Sequence, residues 1–154
     1  MKTYLYQQWR VLICILLFAG LLMPIGVFSN MDGATAELTN FRLNFVEGDS
    51  VGAMWALAVI QIAALSVSLF ELLLSGFRNF TLQKRLLIFN ALLLVGYYIV
   101  FVVYVLLLND SATFRPCPAG AFPLISLILT WITFMAVQRT EAAIIAGAGS
   151  FRLR

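Results

Sequence analysis

Four uninterrupted apolar runs, residues 11–28, 51–74, 86–108 and 119–137, decide what this chain can fold into. They hold 18, 24, 23 and 19 residues, more than half of the 154. At about 1.5 Å per helical residue each reaches across a hydrocarbon layer of roughly 30 Å, the shorter two only just. Backbone groups in lipid must pair within their own segment, so the runs are expected as helices. The ten-residue alternating segments of a membrane barrel are not seen. The expected fold class is all-α: a polytopic transmembrane four-helix bundle, one integral membrane domain over 1–154 with an interfacial tail over 138–154. Composition agrees: 62% of residues are hydrophobic and 11% charged, against about 25% charged in ordinary soluble domains. That excludes a soluble enzyme, a disordered tail and a disulfide scaffold.

Several chemistries are missing from the sequence. It has no histidine, which removes His-ligated haem, the usual zinc sites and Ser-His or Cys-His nucleophiles. Its two cysteines, Cys14 and Cys117, form no CxxC pair. The formal charge of +3 is too weak to argue for nucleic acid. No catalytic residue, metal ligand or cofactor site is expected.

Charge placement is more informative than its sum. Segments 1–10, 75–85 and 138–154 fall on one side of the membrane and carry eight basic residues: Lys2, Arg10, Arg78, Lys84, Arg85, Arg139, Arg152 and Arg154. Segments 29–50 and 109–118 carry two, Arg42 and Arg115. By the positive-inside rule both termini are expected in the cytoplasm. The first run is expected to stay as an uncleaved helix: it is longer than a signal-peptide core, and Ala34-Thr35-Ala36 lies well past its end. This topology puts a membrane between Cys14 and Cys117, too far for a disulfide. Cys14 reads as an apolar filler; Cys117 reads as an unremarkable loop residue, with a free thiol or an intermolecular link as the sharper readings.

In the outer loop 29–50, Phe41, Leu43 and Phe45 alternate with Asn40, Arg42 and Asn44, which predicts a short extended segment with one apolar face. A lone strand needs a partner. The rest of the loop, the bilayer interface and another protein all stay open. Pro24 should end or kink the first helix, leaving the Gly20 carbonyl without its helical donor. Thr81 is the expected N-cap of the third run. Arg78, Lys84 and Arg85 are expected to meet anionic lipid headgroups. In the tail, a short interfacial helix is expected to continue the fourth run and to end at Gly147 and Gly149, with Phe151 anchoring at the headgroups and Arg152 and Arg154 facing water.

Polar residues inside the runs are the candidates for function. Glu71 and Asn90 fall at similar depth near the cytoplasmic side of adjacent antiparallel helices, so a Glu71–Asn90 hydrogen bond is expected, with Arg78 or Arg85 compensating the charge. A second layer, Gln61, Tyr97, Tyr98 and Thr130, falls near the midplane. Both sets read first as glue between helices, and second as groups that handle a proton or ion. Gly52-x-x-x-Ala56 spacing is weak support for a homo-oligomer.

The hinge Phe77-Arg78-Asn79-Phe80-Thr81-Leu82-Gln83-Lys84-Arg85-Leu86, Asn90 after it, and the tail elements Glu141-Ala142-Ala143 and Arg152-Leu153-Arg154 together resemble the bacterial four-helix membrane proteins catalogued as domain-of-unknown-function family 4293. The likeness covers almost the whole chain, departing at Gly147, Ala148 and Gly149, and implies a bacterial inner-membrane location without bringing an activity. The resulting expectation is a non-enzymatic, small structural or accessory subunit of a membrane complex. The alternatives are a small transporter or channel using the intramembrane polar residues, and a lipid- or quinone-binding membrane protein. Labelling intact cells tests the orientation: an impermeant thiol reagent should modify Cys117 from outside. Protection of Cys117 until the membrane is opened, in a protein whose Cys117 reacts in detergent, refutes it.

Overall fold

The computed structural model of the chain describes residues 3–30, 35–45, 50–53, 55–76, 79–109 and 112–152. Four helices, α1 (Thr3–Leu22), α2 (Trp55–Leu74), α3 (Phe80–Asn109) and α4 (Phe122–Arg152), run up and down in a closed ring: α1 packs on α2 and α4, and α3 on the same two. Three of them meet the length and apolarity that crossing a membrane requires, Trp55–Leu74, Phe80–Leu107 and a Pro118–Gly147 stretch containing most of α4. The apolar stretch of α1, Gln7–Leu22, is shorter than the expected 18 residues.

The ring closes because each helix carries a stripe that repeats every three and four residues. Arg10, Ile13, Leu17 and Gly20 are buried on α1; Leu57, Gln61, Ala64, Ser68 and Glu71 on α2; Gln83, Leu87, Asn90, Leu94 and Tyr97 on α3; Ser126, Thr130, Thr133 and Val137 on α4. A repeat averaging 3.5 residues keeps one seam facing the neighbours in helical bundles. The stripes contain Gln61, Ser68, Glu71, Asn90, Ser126, Thr130 and Thr133 from the apolar spans, whereas the opposite faces expose Ile15, Phe18, Val59, Leu73, Leu92, Ile99, Leu107 and Ile128. This inverted distribution suits a hydrocarbon solvent, where an outward leucine costs nothing and an outward glutamine costs its hydrogen bonds. At mid-height all four helices meet in an apolar layer of Ile13, Leu17, Ala64, Leu94 and Leu129.

The extended segment is present as one strand of a larger unit. Strands β1 (Gly26–Asn30), β2 (Thr35–Leu38), β3 (Arg42–Phe45) and β4 (Ser50–Ala53) form an antiparallel meander, and β5 (Ala112–Pro116), from the loop after α3, pairs with β1 in the order β4-β3-β2-β1-β5. The partner of the segment around Leu43 is therefore the chain itself. The helices are accordingly shorter than runs one and two: residues 26–28 and 51–53 belong to β1 and β4. Leu43 faces the core as expected, but Asn40, assigned to the wet side of the alternation, is fully buried.

α3, at 30 residues or about 45 Å, outruns the bilayer core and carries the sheet. Its Phe101, Tyr104 and Val105 pack beneath Phe28, Ala36, Leu38 and Leu43. Phe114 joins this stack, 5.0 Å from the ring of Phe28 and 5.8 Å from that of Phe101. At the far end α4 continues through Gly147 and Gly149 to Arg152 as one helix, so the expected break at the glycines is absent. α3 starts two residues earlier than expected: Asn79, not Thr81, stands before its first turn, with the Gln83 amide donating to the Asn79 carbonyl.

Gly26 pairs with Pro116 across β1 and β5, and a Cβ there would lie 2.2 Å from Cε2 of Phe114. Gly26→Ala is expected to destabilise the protein by about 1–3 kcal/mol, the cost of forcing an extra carbon into a packed site. Thermal unfolding in detergent checks this: the loss should shrink in a Phe114→Ala background, and equal losses in both backgrounds refute the overlap.

Candidate functional site

Two polar clamps hold the bundle, one at each end, and each serves a helix C-terminus. The last four carbonyls of an α-helix have no helical donor, and in lipid no water replaces it. At the sheet end, α1 stops before Pro24, which has no N–H to give to Gly20. Asn40, on the turn between β2 and β3, fills that gap: its Nδ2 donates to the Gly20 carbonyl at 2.7 Å, and its Oδ1 accepts from Tyr97 Oη of α3 at 2.9 Å. One turn below, Gln61 Nε2 donates to the Leu17 carbonyl at 3.1 Å.

At the opposite end, Arg10 of α1 is 1% exposed. Its Nη1 donates to the backbone carbonyl of Glu71 at 3.2 Å, and its Nη2 to Gln83 Oε1 at 3.0 Å. Gln83 Nε2 donates in turn to the Leu74 carbonyl at 3.2 Å. Arg10 and Gln83 thus serve the first and last of α2's four orphan carbonyls, and a cation beside a helix C-terminus also meets its partial negative charge. One layer inward, Asn90 Nδ2 donates to Ser68 Oγ at 2.8 Å. Outside the clamp, Lys84 and Glu141 form an ion pair at 2.5 Å between partly exposed side chains, tying α3 to the extension of α4.

The expected cluster is only partly assembled. Glu71 and Asn90 are both fully buried on facing helices, but Asn90 donates to Ser68 rather than to Glu71. The cation beside Glu71 is Arg10; Arg85 is exposed on α3, and Arg78 lies outside the described residues. Lys84 is engaged by Glu141 instead of being free for a headgroup. The midplane layer does not form. Gln61 bonds to α1; Tyr97 reaches up to Asn40; Tyr98 Oη donates to the Gly120 carbonyl at 2.8 Å; Thr130 Oγ1 bonds back to Ser126 of its own helix. Cys14 and Cys117 are both free, Cys14 buried one turn from Arg10.

Arg10, Gln83 and Asn40 were missed as site residues. Arg10 was read as a loop base because it stands at the edge of the first run, yet it shares the three-and-four spacing of Ile13 and Leu17. Gln83, Asn90 and Tyr97 recur seven apart on α3, a polar stripe legible in an otherwise apolar segment. For Asn40 the signal is Pro24, which leaves the Gly20 carbonyl in need of a donor from elsewhere.

The fold and its clamps define a membrane-type four-helix bundle capped on one side by a sheet. The chain matches the family described as Domain of unknown function (DUF4293) over residues 9–146, and it belongs to that family. No curated protein matches it.

Arg10→Leu leaves the Glu71 carbonyl and Gln83 Oε1 without their donor. It is expected to cost about 3–5 kcal/mol, as does removal of one partner from a buried charged network. Lys84→Ala, which breaks a partly exposed pair, should cost about 1 kcal/mol or less. Denaturation in mixed micelles compares the two; equal losses would mean that Arg10 is not the tie between α1, α2 and α3.

Proposed function

We propose that this protein is a non-enzymatic, small structural or accessory subunit of a bacterial inner-membrane complex, with both termini in the cytoplasm. The observation that carries the reading is how the buried polar side chains are spent. Asn40, Gln61, Arg10 and Gln83 each donate to a backbone carbonyl of another element, which is helix-end maintenance rather than substrate recognition. Between the clamps the apolar layer of Ile13, Leu17, Ala64, Leu94 and Leu129 interrupts any polar line along the axis. A conducting path needs continuous polar or hydrated lining. The orientation is supported by the basic residues that remain when Arg10 is taken out of the loop count, seven on the clamp side against two on the sheet side.

A lipid-binding reading has one observation behind it. A shallow groove between α3 and α4 is walled by Leu92, Val95, Trp131 and Phe134, and continues upward past Ile99 and Leu127. Its lining is almost wholly hydrocarbon, which suits a lipid tail and offers little to orient a headgroup.

Two measurements on the full chain test the accessory role. Native mass spectrometry from its own membranes in mild detergent should find it in a stoichiometric assembly with a larger membrane protein. Proteoliposomes of the purified chain should stay tight to protons, sodium and potassium. A flux abolished by Glu71→Gln, or a protein that leaves the membrane alone under all mild conditions, overturns the reading.

A further inference from the structure

At the clamp end Glu71 is an ionisable group whose bonding is incomplete. Glu71 is 1% exposed, and its Oε1 has no hydrogen-bond partner. Asn90 is fully buried, and with its Nδ2 committed to Ser68 its Oδ1 also has none. Ser68 and Glu71 lie three residues apart on the same buried stripe of α2, so the two orphan oxygens sit within about one helical turn of each other. Both are acceptors when Glu71 is ionised, and a buried acceptor without a donor costs about 1–3 kcal/mol.

We propose that the Glu71 carboxyl is a proton-binding site inside the bundle, filled and emptied from the clamp end, with Asn90 Oδ1 accepting from the protonated form. Protonation converts one Glu71 oxygen from acceptor to donor and supplies the donor that the two oxygens lack. The ionised form has a different neighbour, the Arg10 guanidinium, a cation that donates to the backbone carbonyl of the same residue and attracts its carboxylate. Two states with separate support are what a titrating switch requires. Of the other groups on the packed elements, α1 contributes Arg10 and Cys14, α3 contributes Gln83 and Asn90, and α4 buries only Thr133 and Val137 at the neighbouring positions of its stripe. Lys84 and Glu141 neutralise each other outside the clamp. The apolar layer beyond Ile13 and Leu94 separates this proton from the sheet-end polar groups, so the site binds a proton without passing it across. The inference goes beyond the accessory role and does not depend on it.

Infrared difference spectroscopy of the full chain in lipid nanodiscs tests the site. As the pH is lowered from roughly 9 to 5, above the range where exposed carboxylates titrate, a protonated-carboxyl C=O band should grow. The band should be absent in Glu71→Gln, move in Glu71→Asp and persist in Cys14→Ala. Asn90→Leu should weaken it at any given pH, because hydrogen bonding to the neutral form favours that form. Glu71→Asp keeps the test decisive if Glu71→Gln does not fold. A chain with no Glu71-dependent band in this range, or with one of constant size, overturns the proposal. A band unaffected by Asn90→Leu overturns the role given to Asn90.

Discussion

The free carbonyls at the ends of α1 and α2 are the constraint on which the rest of this structure depends. A soluble helix leaves its last turn to water. These two helices end against other elements of a bundle whose outer face is hydrocarbon, where an unmet carbonyl costs several kcal/mol. The chain meets the cost with side chains brought from far away in sequence: Asn40 for Gly20, and Arg10 and Gln83 for the end of α2. Each donor bridges elements, so satisfying the backbone also fixes which helix lies beside which.

That solution explains the sheet. Asn40 can reach Gly20 only if the loop after α1 folds back over the top of the bundle, and the meander β1–β4 closed by β5 holds it there. The aromatic residues of α3 complete the connection. Tyr97 donates to Asn40, Tyr98 to Gly120, and Phe101 packs between helix and sheet against Phe114. The sheet is thus part of the bundle's own bonding. Its outer strands β4 and β5 end the order at each side, and both loops that would otherwise hang from the helices are drawn into one cap.

Much of this was legible one residue at a time. The apolar runs at 51–74, 86–108 and 119–137 correspond to α2, α3 and α4, because length and hydropathy alone fix a membrane helix. Pro24 announced an orphan at Gly20, because a missing N–H is a local fact. Glu71 and Asn90 were placed at one depth, and both are buried there. Their partners were not legible. Ser68 takes the Asn90 amide, and Arg10 rather than Arg85 stands beside Glu71, because these contacts depend on helix faces whose rotation is set by all four helices packing together. The period-two stretch around Leu43 likewise gave a strand and an inward leucine, but nothing in it distinguished a lone strand from one of five.

The sequence by itself determined the solvent and the helical form, because these follow from hydropathy, chain length and backbone hydrogen bonding within a segment. Tertiary structure alone decided which donor meets which carbonyl and how the outer loops assemble. Most of the side-chain ties join residues 20 to 73 positions apart, as Asn40 joins Gly20 and Arg10 joins Gln83, and no local rule spans that distance.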